Sequence, residues 1–455
     1  MTPQEGWMNS LPDSFVRHQG GRRIYEVECI VPDIAGVSRG KAMPAVKFDP
    51  AGKTFLPSSI FYQTITGNYV DLELRDQWTE VDLVLKADMS TACASPWAND
   101  LTLQVIHDVD DKHGGPIPIA PRNVLRRVLA LYEERGWMPV IAPELEFYLT
   151  QPNVDPTDPI EPPIGRTGRK GIGRQSYSIS AVDEYGKVID DIYEFAEAQG
   201  LEIASVIQEG GAGQLEINLT HGSALKLADE VFFFKRTIRE AALRNGCFAT
   251  FMAKPMRDEP GSAMHIHQSV VDVKTGRNIF SKEDGTASDA FYHFIGGCQK
   301  HFWAATPIFA PYVNSFRRYS GWDSAPTNIE WAADNRTTGL RIPMSSPDSR
   351  RVENRVVGMD CNPYLAIAAS LACGYLGMID ADKPRDQTYG EGYGKGLSLP
   401  RSLYSGLKHL STDEAFRSVM GEEFCVVYEG IKQGELDDFH AEISPWEREH
   451  LLLSV

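Results

Sequence analysis

No C-x-x-C pair occurs among the seven cysteines (29, 93, 247, 298, 361, 373, 425), which form an odd, scattered set. That excludes a zinc ribbon or a disulfide framework and fits reduced thiols in the cytoplasm. No G-x-x-x-x-G-K-[ST] run is present. The nearest candidate, Gly165-Arg-Thr-Gly-Arg-Lys-Gly-Ile-Gly-Arg174, has the wrong spacing and reads as a mobile loop rather than a phosphate cradle. The N-terminus lacks a basic region followed by an apolar core, so no secretory signal is expected. The most apolar stretch, Leu365 to Ile379, is shorter than the roughly 20 residues of a bilayer span and reads as a buried helix. Positive charge is in deficit: a net charge of −17 argues against nucleic acid and against an anionic membrane surface as partners. Internal repeats and low-complexity tracts are absent.

What is present is a chain of 455 residues, 42 % apolar and 24 % charged, long enough for two globular domains. From Arg22 to about Asp110 it runs in short strand-like segments. Tyr25-Glu-Val-Glu-Cys-Ile-Val31 and Glu80-Val-Asp-Leu-Val-Leu85 alternate as half-buried strands do. Pro116 and Pro118 mark a boundary. A helix is expected from Pro121, with Val124, Val128, Leu131 and Tyr132 on one stripe and Gly136 as its stop. Further helical patterns cover Asp191 to Ala198, Leu225 to Asn245 and Asn362 to Ile379. Strands interspersed with helices, without a regular βαβ period, predict an α+β fold.

The chemistry-bearing residues are acids in close alternation. Glu144 and Glu146 lie two apart, Glu209 and Glu216 bracket a glycine-rich turn, His265 and His267 alternate, and Glu353 lies in Arg351-Val-Glu-Asn-Arg355. Residues two apart on a strand share a face, so each alternating pair can converge on one cavity. Carboxylate oxygens suit Mg²⁺ or Mn²⁺, and more than one ion is expected. Arg318, Arg336, Arg341 and Arg355 supply forked donors for phosphate or carboxylate. Acids for metals and arginines for anions read as phosphoryl transfer.

Taken in order, Pro143-Glu-Leu-Glu-Phe-Tyr148, Gly261-Ser-Ala-Met-His-Ile-His267, Asp334-Asn-Arg336 through Leu340-Arg-Ile-Pro343, and Val352-Glu-Asn-Arg355 with Asn362-Pro-Tyr-Leu365 resemble the glutamine synthetase family. The segments Asp33-Ile-Ala-Gly-Val-Ser-Arg-Gly-Lys41, Pro121-Arg-Asn-Val-Leu125 and Ala249-Thr-Phe-Met-Ala-Lys-Pro255 are similar to its glutamate–amine (γ-glutamylputrescine synthetase) branch. The resemblance implies an N-terminal extension (1–20), a small β-grasp domain (21–115) and a catalytic domain (116–455) with an antiparallel sheet and helices. It implies a homo-oligomer, a dodecamer of two stacked hexameric rings with active sites between subunits. Carried over by position, Glu146, Glu209 and Glu216 would bind one metal and Glu144, His265 and Glu353 a second. Gly261, Arg318 and Arg355 would hold L-glutamate. His267 and Ser269 would contact ATP, with Arg336 and Arg341 steadying its phosphates and Arg336 acting in catalysis.

Three departures from the family bear on the substrate. Leu56 stands where ammonia-using members carry an aspartate, and Ser324 where they carry a glutamate. Losing both acids removes an ammonium pocket and makes room for a carbon-bearing primary amine, such as putrescine or another alkylamine. Such an amine arrives protonated, with a pKa of about 10, and needs a base. Asp323 is the candidate base, and Trp322 a candidate wall. Pro260 replaces the usual asparagine before the Gly-Ser block. An ammonia-using glutamine synthetase and a non-catalytic relative remain the alternative readings.

Overall fold

The strands divide between two sheets, and the order in which the chain builds them decides where the acids meet. A computed structural model of the chain describes residues 7–70, 80–319 and 325–455. The first sheet contains β1 (Glu26–Pro32), β2 (Ser38–Pro44), β3 (Thr54–Pro57), β4 (Asp82–Ala87), β5 (Cys93–Ala94) and β6 (Thr102–Asp110). Its order is β2-β1-β6-β4-β3, with β5 on β6. All pairs are antiparallel except β1 with β6. The two strands expected here start one or two residues later than their sequence patterns. Val27, Cys29 and Val31 supply the apolar face of β1, as the alternation requires.

The second sheet holds β7 (Trp137–Thr150), β8 (Ile203–Gln208), β9 (Gln214–Leu219), β10 (Gly222–Ser223), β11 (Phe248–Thr250), β12 (Met264–Asp272), β13 (Trp331–Ala333), β14 (Leu340–Ile342) and β15 (Val352–Asn354). Its path is β13-β14-β15-β12-β7-β9-β8, and β10 and β11 also pair with β7. Only β13 and β14 run parallel. The long strand β7 is therefore the spine of the sheet, and the chain reaches it from both sides.

Six long helices cover these sheets: α1 (Pro121–Glu133), α2 (Gly186–Gln199), α3 (Ala224–Arg244), α4 (Asp289–Phe309), α5 (Pro363–Asp380) and α6 (Glu422–Ala441). Helix α1 opens on Pro121 and buries Val124, Leu125, Val128 and Tyr132, while Leu131 is only half-buried. Gly136 follows in the left-handed region at φ 71°. Helix α5 is apolar enough to cross a membrane by length and composition, and it is mostly buried inside the fold. Helix α4 was not legible in the sequence, because Gly296, Gly297 and Pro307 interrupt it.

Asn362 is one of the residues that tie the first sheet to the rest. Asn362 caps α5, its side chain accepting from the backbone N–H of Tyr364. Its Nδ2 donates to the carbonyls of Asp33 at 2.9 Å and Ile34 at 3.3 Å, in the turn between β1 and β2. Gly36 in that turn adopts φ 79°, and a Cβ there would sit 3.4 Å from the Cα of Asn362. The 151–174 segment, expected as a mobile loop, is hydrogen-bonded at several points. Ile164 and Lys170 form an isolated bridge, Lys170 pairs with Glu161 at 2.8 Å, and Arg166 N–H donates to Glu184 O.

Candidate active site

Strand register assembles the site. Across β9, β7, β12, β15 and β14 the paired positions are Glu216 with Glu146, Glu144 with His265, His267 with Glu353 on the next strand, and Glu353 with Arg341. Alternation puts Glu144 and Glu146 on one face of β7, and His265, His267 and Ser269 on one face of β12. The result is one row of charged and imidazole side chains drawn from five strands.

The side chains meet. Nδ1 of His265 lies 3.1 Å from Oε2 of Glu144, 3.8 Å from Glu146 and 3.8 Å from Glu353. Nε2 of His267 lies 2.9 Å from Oε1 of Glu144, and the Nδ1 of the same ring accepts from Nε of Arg351 at 3.2 Å. That acceptance leaves the proton of a neutral His267 on Nε2, aimed at Glu144. Arg351, to which the sequence alone assigns no role, thus orients the row. Glu353 is fully buried between Nη1 of Arg341 at 2.7 Å and Nη1 of Arg355 at 2.5 Å.

The electrostatics separate these carboxyls. Burial pushes Glu146 up to about 8, helped by the charge of Glu209. Burial pushes Glu216 up to about 9, with Glu144, Glu146 and Glu209 adding repulsion. Burial also raises Glu209. Burial acts the same way on Glu144, but hydrogen bonds from His265 and His267 outweigh it and hold that carboxyl low. For Glu353 the partner that opposes burial is Arg355, which holds it down to about 2. Burial, and then Arg355, lower His265 to about 4, so it is a neutral imidazole at physiological pH. Buried carboxyls that repel one another around a neutral imidazole are a donor set for a hard divalent cation.

Two donor groups lie within 4.8 Å: Glu144, His265 and Glu353, and Glu146, Glu216 and His265. The first coincides with one expected metal set. The second contains His265 in place of Glu209, which is half-buried and lines the adjoining cavity instead. That cavity, of about 280 Å³, is also lined by Gly261, Arg318, Arg336 and Arg355. Nη1 and Nη2 of Arg318 donate to the carbonyls of Val356 at 2.9 Å and Arg355 at 2.7 Å, which fixes the fork. At Gly261 a Cβ would lie 2.6 Å from Ala253 O and 2.7 Å from Cγ of Arg318, so only glycine fits. Arg341 leans the other way, onto Glu353 and Asp334.

Some expected residues fall elsewhere. Asp323, Trp322 and Ser324 lie outside the described residues. Leu56 is buried on β3 in this chain's own apolar core. Pro260 lines the cavity, and its carbonyl accepts from the hydroxyl of Tyr148 at 2.7 Å. Arg174, Ser176, Tyr177 and Gln214 line the cavity although the sequence alone does not single them out. Arg174 and Tyr177 both carry positive φ, at 66° and 64°, and their N–H groups donate to Gly210 and Gln208 of the Glu209 turn. The basic 165–174 run was a visible signal, but nothing in its pattern told which arginine turns inward.

A row of oxygen and nitrogen donors beside an arginine-walled cavity has the chemistry to hold divalent cations and anions. Residues 118–451 match the family description "Glutamine synthetase, catalytic domain", and the chain belongs to the glutamine synthetase family of ligases. It is 33 % identical over 432 residues to γ-glutamylputrescine synthetase PuuA of Escherichia coli (strain K12), covering 94 % of this chain and 91 % of that protein. It is 31 % identical over 431 residues to glutamate–isopropylamine ligase of a Pseudomonas species, covering 91 % and 92 %. Among solved structures, ligand-free GmaS superposes with a TM-score of 0.81 at 26 % identity, covering 97 % of this chain and 99 % of that one. Members of this family use ATP, divalent metals, glutamate and an amine or ammonia.

Proposed function

We propose that this chain is an ATP-dependent ligase that joins the γ-carboxylate of L-glutamate to a primary amine, giving a γ-glutamylamide, ADP and phosphate. The observation that carries this reading is likeness over nine-tenths of the chain to two glutamate–amine ligases. Leu56, an apolar side chain at the position of the expected ammonium-binding acid, supports it. Putrescine or another alkylamine is the proposed acceptor.

In this reading Glu146, Glu209 and Glu216 hold one divalent ion, and Glu144, His265 and Glu353 hold another. Once bound, Mg²⁺ or Mn²⁺ supplies charge neutralisation at the transferred phosphoryl group. Gly261, Arg318 and Arg355 place L-glutamate so that its γ-carboxylate oxygen attacks the γ-phosphorus of ATP. His267 and Ser269 flank the nucleotide, while Arg336 and Arg341 stabilise charge on the moving phosphoryl group. ADP leaves and γ-glutamyl phosphate remains. The acceptor ammonium gives one proton to the carboxylate of Asp323, the free amine attacks the γ-carbonyl carbon, and phosphate departs with the second proton shed by the nitrogen. The seven cysteines are all buried free thiols and take no part. The reading extends to a cytoplasmic dodecamer of two stacked hexameric rings.

The test is phosphate release from ATP with L-glutamate, Mg²⁺ and a panel of amines that includes ammonia. Turnover with an alkylamine or diamine and little with ammonia is expected. Turnover with ammonia alone would make this a glutamine synthetase, and no turnover with any acceptor would make it a non-catalytic relative. Exchanging Asp323→Asn should slow amine transfer and spare glutamyl-phosphate formation, and equal loss of both would remove Asp323 as the base.

A further inference from the structure

Arg317 and Arg318 follow the short helix Val313–Phe316 in succession, and they line different cavities. Arg318 is buried in the catalytic cavity. Arg317 sits on a second cavity of about 660 Å³ between that helix, the start of the helix Leu403–Thr412 and the outer part of α6. Its floor is apolar, formed by Phe316, Leu403 and Leu436, which pack as a small cluster of their own. Its rim carries Arg317, Arg401 and His440. No aspartate or glutamate lines it among the described residues. Among the described residues, the side chains of Arg317 and Arg401 form no ion pair and no hydrogen bond.

Two guanidinium groups beside an apolar floor, with no carboxylate among the described lining residues, leave the cavity locally cationic. The volume falls in the range of small-molecule sites, about 300–1,000 Å³, and such sites pair an apolar lining with a few placed polar groups. Guanidinium forks match a carboxylate in two parallel hydrogen bonds. The geometry points to a second ligand site, separate from the catalytic cavity, for a small carboxylate carried on a hydrocarbon body. The carboxylate lies between Arg317 and Arg401, and the hydrocarbon covers Phe316, Leu403 and Leu436. Because Arg317 adjoins Arg318, a ligand there acts on the turn that places Arg318. This coupling, unlike the site itself, rests on the reading that Arg318 holds glutamate.

Calorimetric titration of the full chain with hexanoate tests the site, with hexanol, hexylamine and inorganic phosphate as comparators. Hexanoate should bind once per chain, hexanol and hexylamine should not, and phosphate should bind far more weakly for want of apolar contact. Arg401→Glu should weaken hexanoate roughly tenfold or more through loss of a charge-assisted pair. The same variant should keep the wild-type assembly size and the wild-type turnover measured without hexanoate. The inference is overturned if hexanol binds as well as hexanoate, or if Arg401→Glu leaves hexanoate binding unchanged. It is equally overturned if Arg401→Glu changes the assembly size, which would make the cavity an interface between copies. None of these readouts requires turnover, so they stand apart from the outcome of the amine panel.

Discussion

Arg122 on α1 and Asp229 on α3 form a two-pronged pair, Nε to Oδ1 at 3.0 Å and Nη2 to Oδ2 at 2.8 Å. The same guanidinium reaches Asp108 on β6 at 2.6 Å and Asp88 after β4 at 2.7 Å. The hydroxyl of Tyr364 on α5 donates to Asp229 at 2.7 Å. One buried arginine thus fastens the first sheet to the helices of the second. Replacing Arg122 with leucine should lower stability by about 3–5 kcal/mol, because buried Asp229 loses its counter-charge while Asp88 and Asp108 are left with Arg126. Urea unfolding should show the loss as a lower midpoint. Arg122→Lys should recover little, since a point charge cannot fork to three partners. Full recovery would mean that charge alone matters there.

The acid row makes the metal-free protein sensitive to base. Glu146 and Glu216 have folded-state values near 8 and 9, above the 4.5 of an unperturbed carboxyl. Raised values mean that the folded state holds more protons than the unfolded chain between these limits. The chelator-treated protein should therefore lose thermal stability steadily as pH rises from about 5 to 9. Glu144, Glu209, Arg318 and Arg355 face the same pair and shape the curve. Added Mn²⁺ should restore the melting temperature at high pH and release protons. A flat pH profile without metal would show that the two carboxyls are not held protonated.

Glu353 is charged for the opposite reason. Exchanging it for glutamine keeps the shape but leaves Arg341 and Arg355 facing a neutral amide. Mn²⁺ affinity should fall at least tenfold by calorimetry, in line with loss of a charged ligand. Thermal stability should fall as well, because two guanidiniums lose a shared buried carboxylate partner. Unchanged metal affinity would take Glu353 out of the ligand set.

Gly261→Ala tests the fit around Arg318. The added methyl meets Ala253 O at 2.6 Å and Cγ of Arg318 at 2.7 Å, so the arginine must shift. The KM for glutamate should rise clearly more than that for ATP, with the circular dichroism spectrum unchanged. An equal rise in both would point to general disruption of the sheet instead.

Much of this site was legible because a strand's period is two and its chemistry is carried by side chains. Glu144 with Glu146, and His265 with His267, declare a shared face by their spacing alone. Helix α5 was legible for a similar reason, as a continuous apolar run behind an asparagine cap. Helix α4 was not, since glycines and a proline argue against a helix when read locally. Their purpose is tertiary: a Cβ on Gly296 would lie 2.2 Å from Asp382 O, and one on Gly297 would lie 2.3 Å from Cys373 O on α5. The two helices touch backbone to backbone, and only the folded partner explains the residue choice. The clamp at Arg122 was hidden likewise, because its partners are 14, 34 and 107 residues away in the chain. Glu209 was placed in a metal set by family position; it lines the adjoining cavity, while His265 lies within 4.8 Å of Glu146 and Glu216.

The row of polar side chains runs across five strands, with an acid or imidazole from each of four and an arginine from the fifth. A slip of one residue in any of these strands would turn its member to the opposite face of the sheet. A cation held by this row would therefore be able to tell a correctly paired sheet from a misaligned one. Folding errors that leave the core equally greasy would be sorted by coordination chemistry, and the ion would act as a proofreader of β-sheet assembly before it takes part in any reaction.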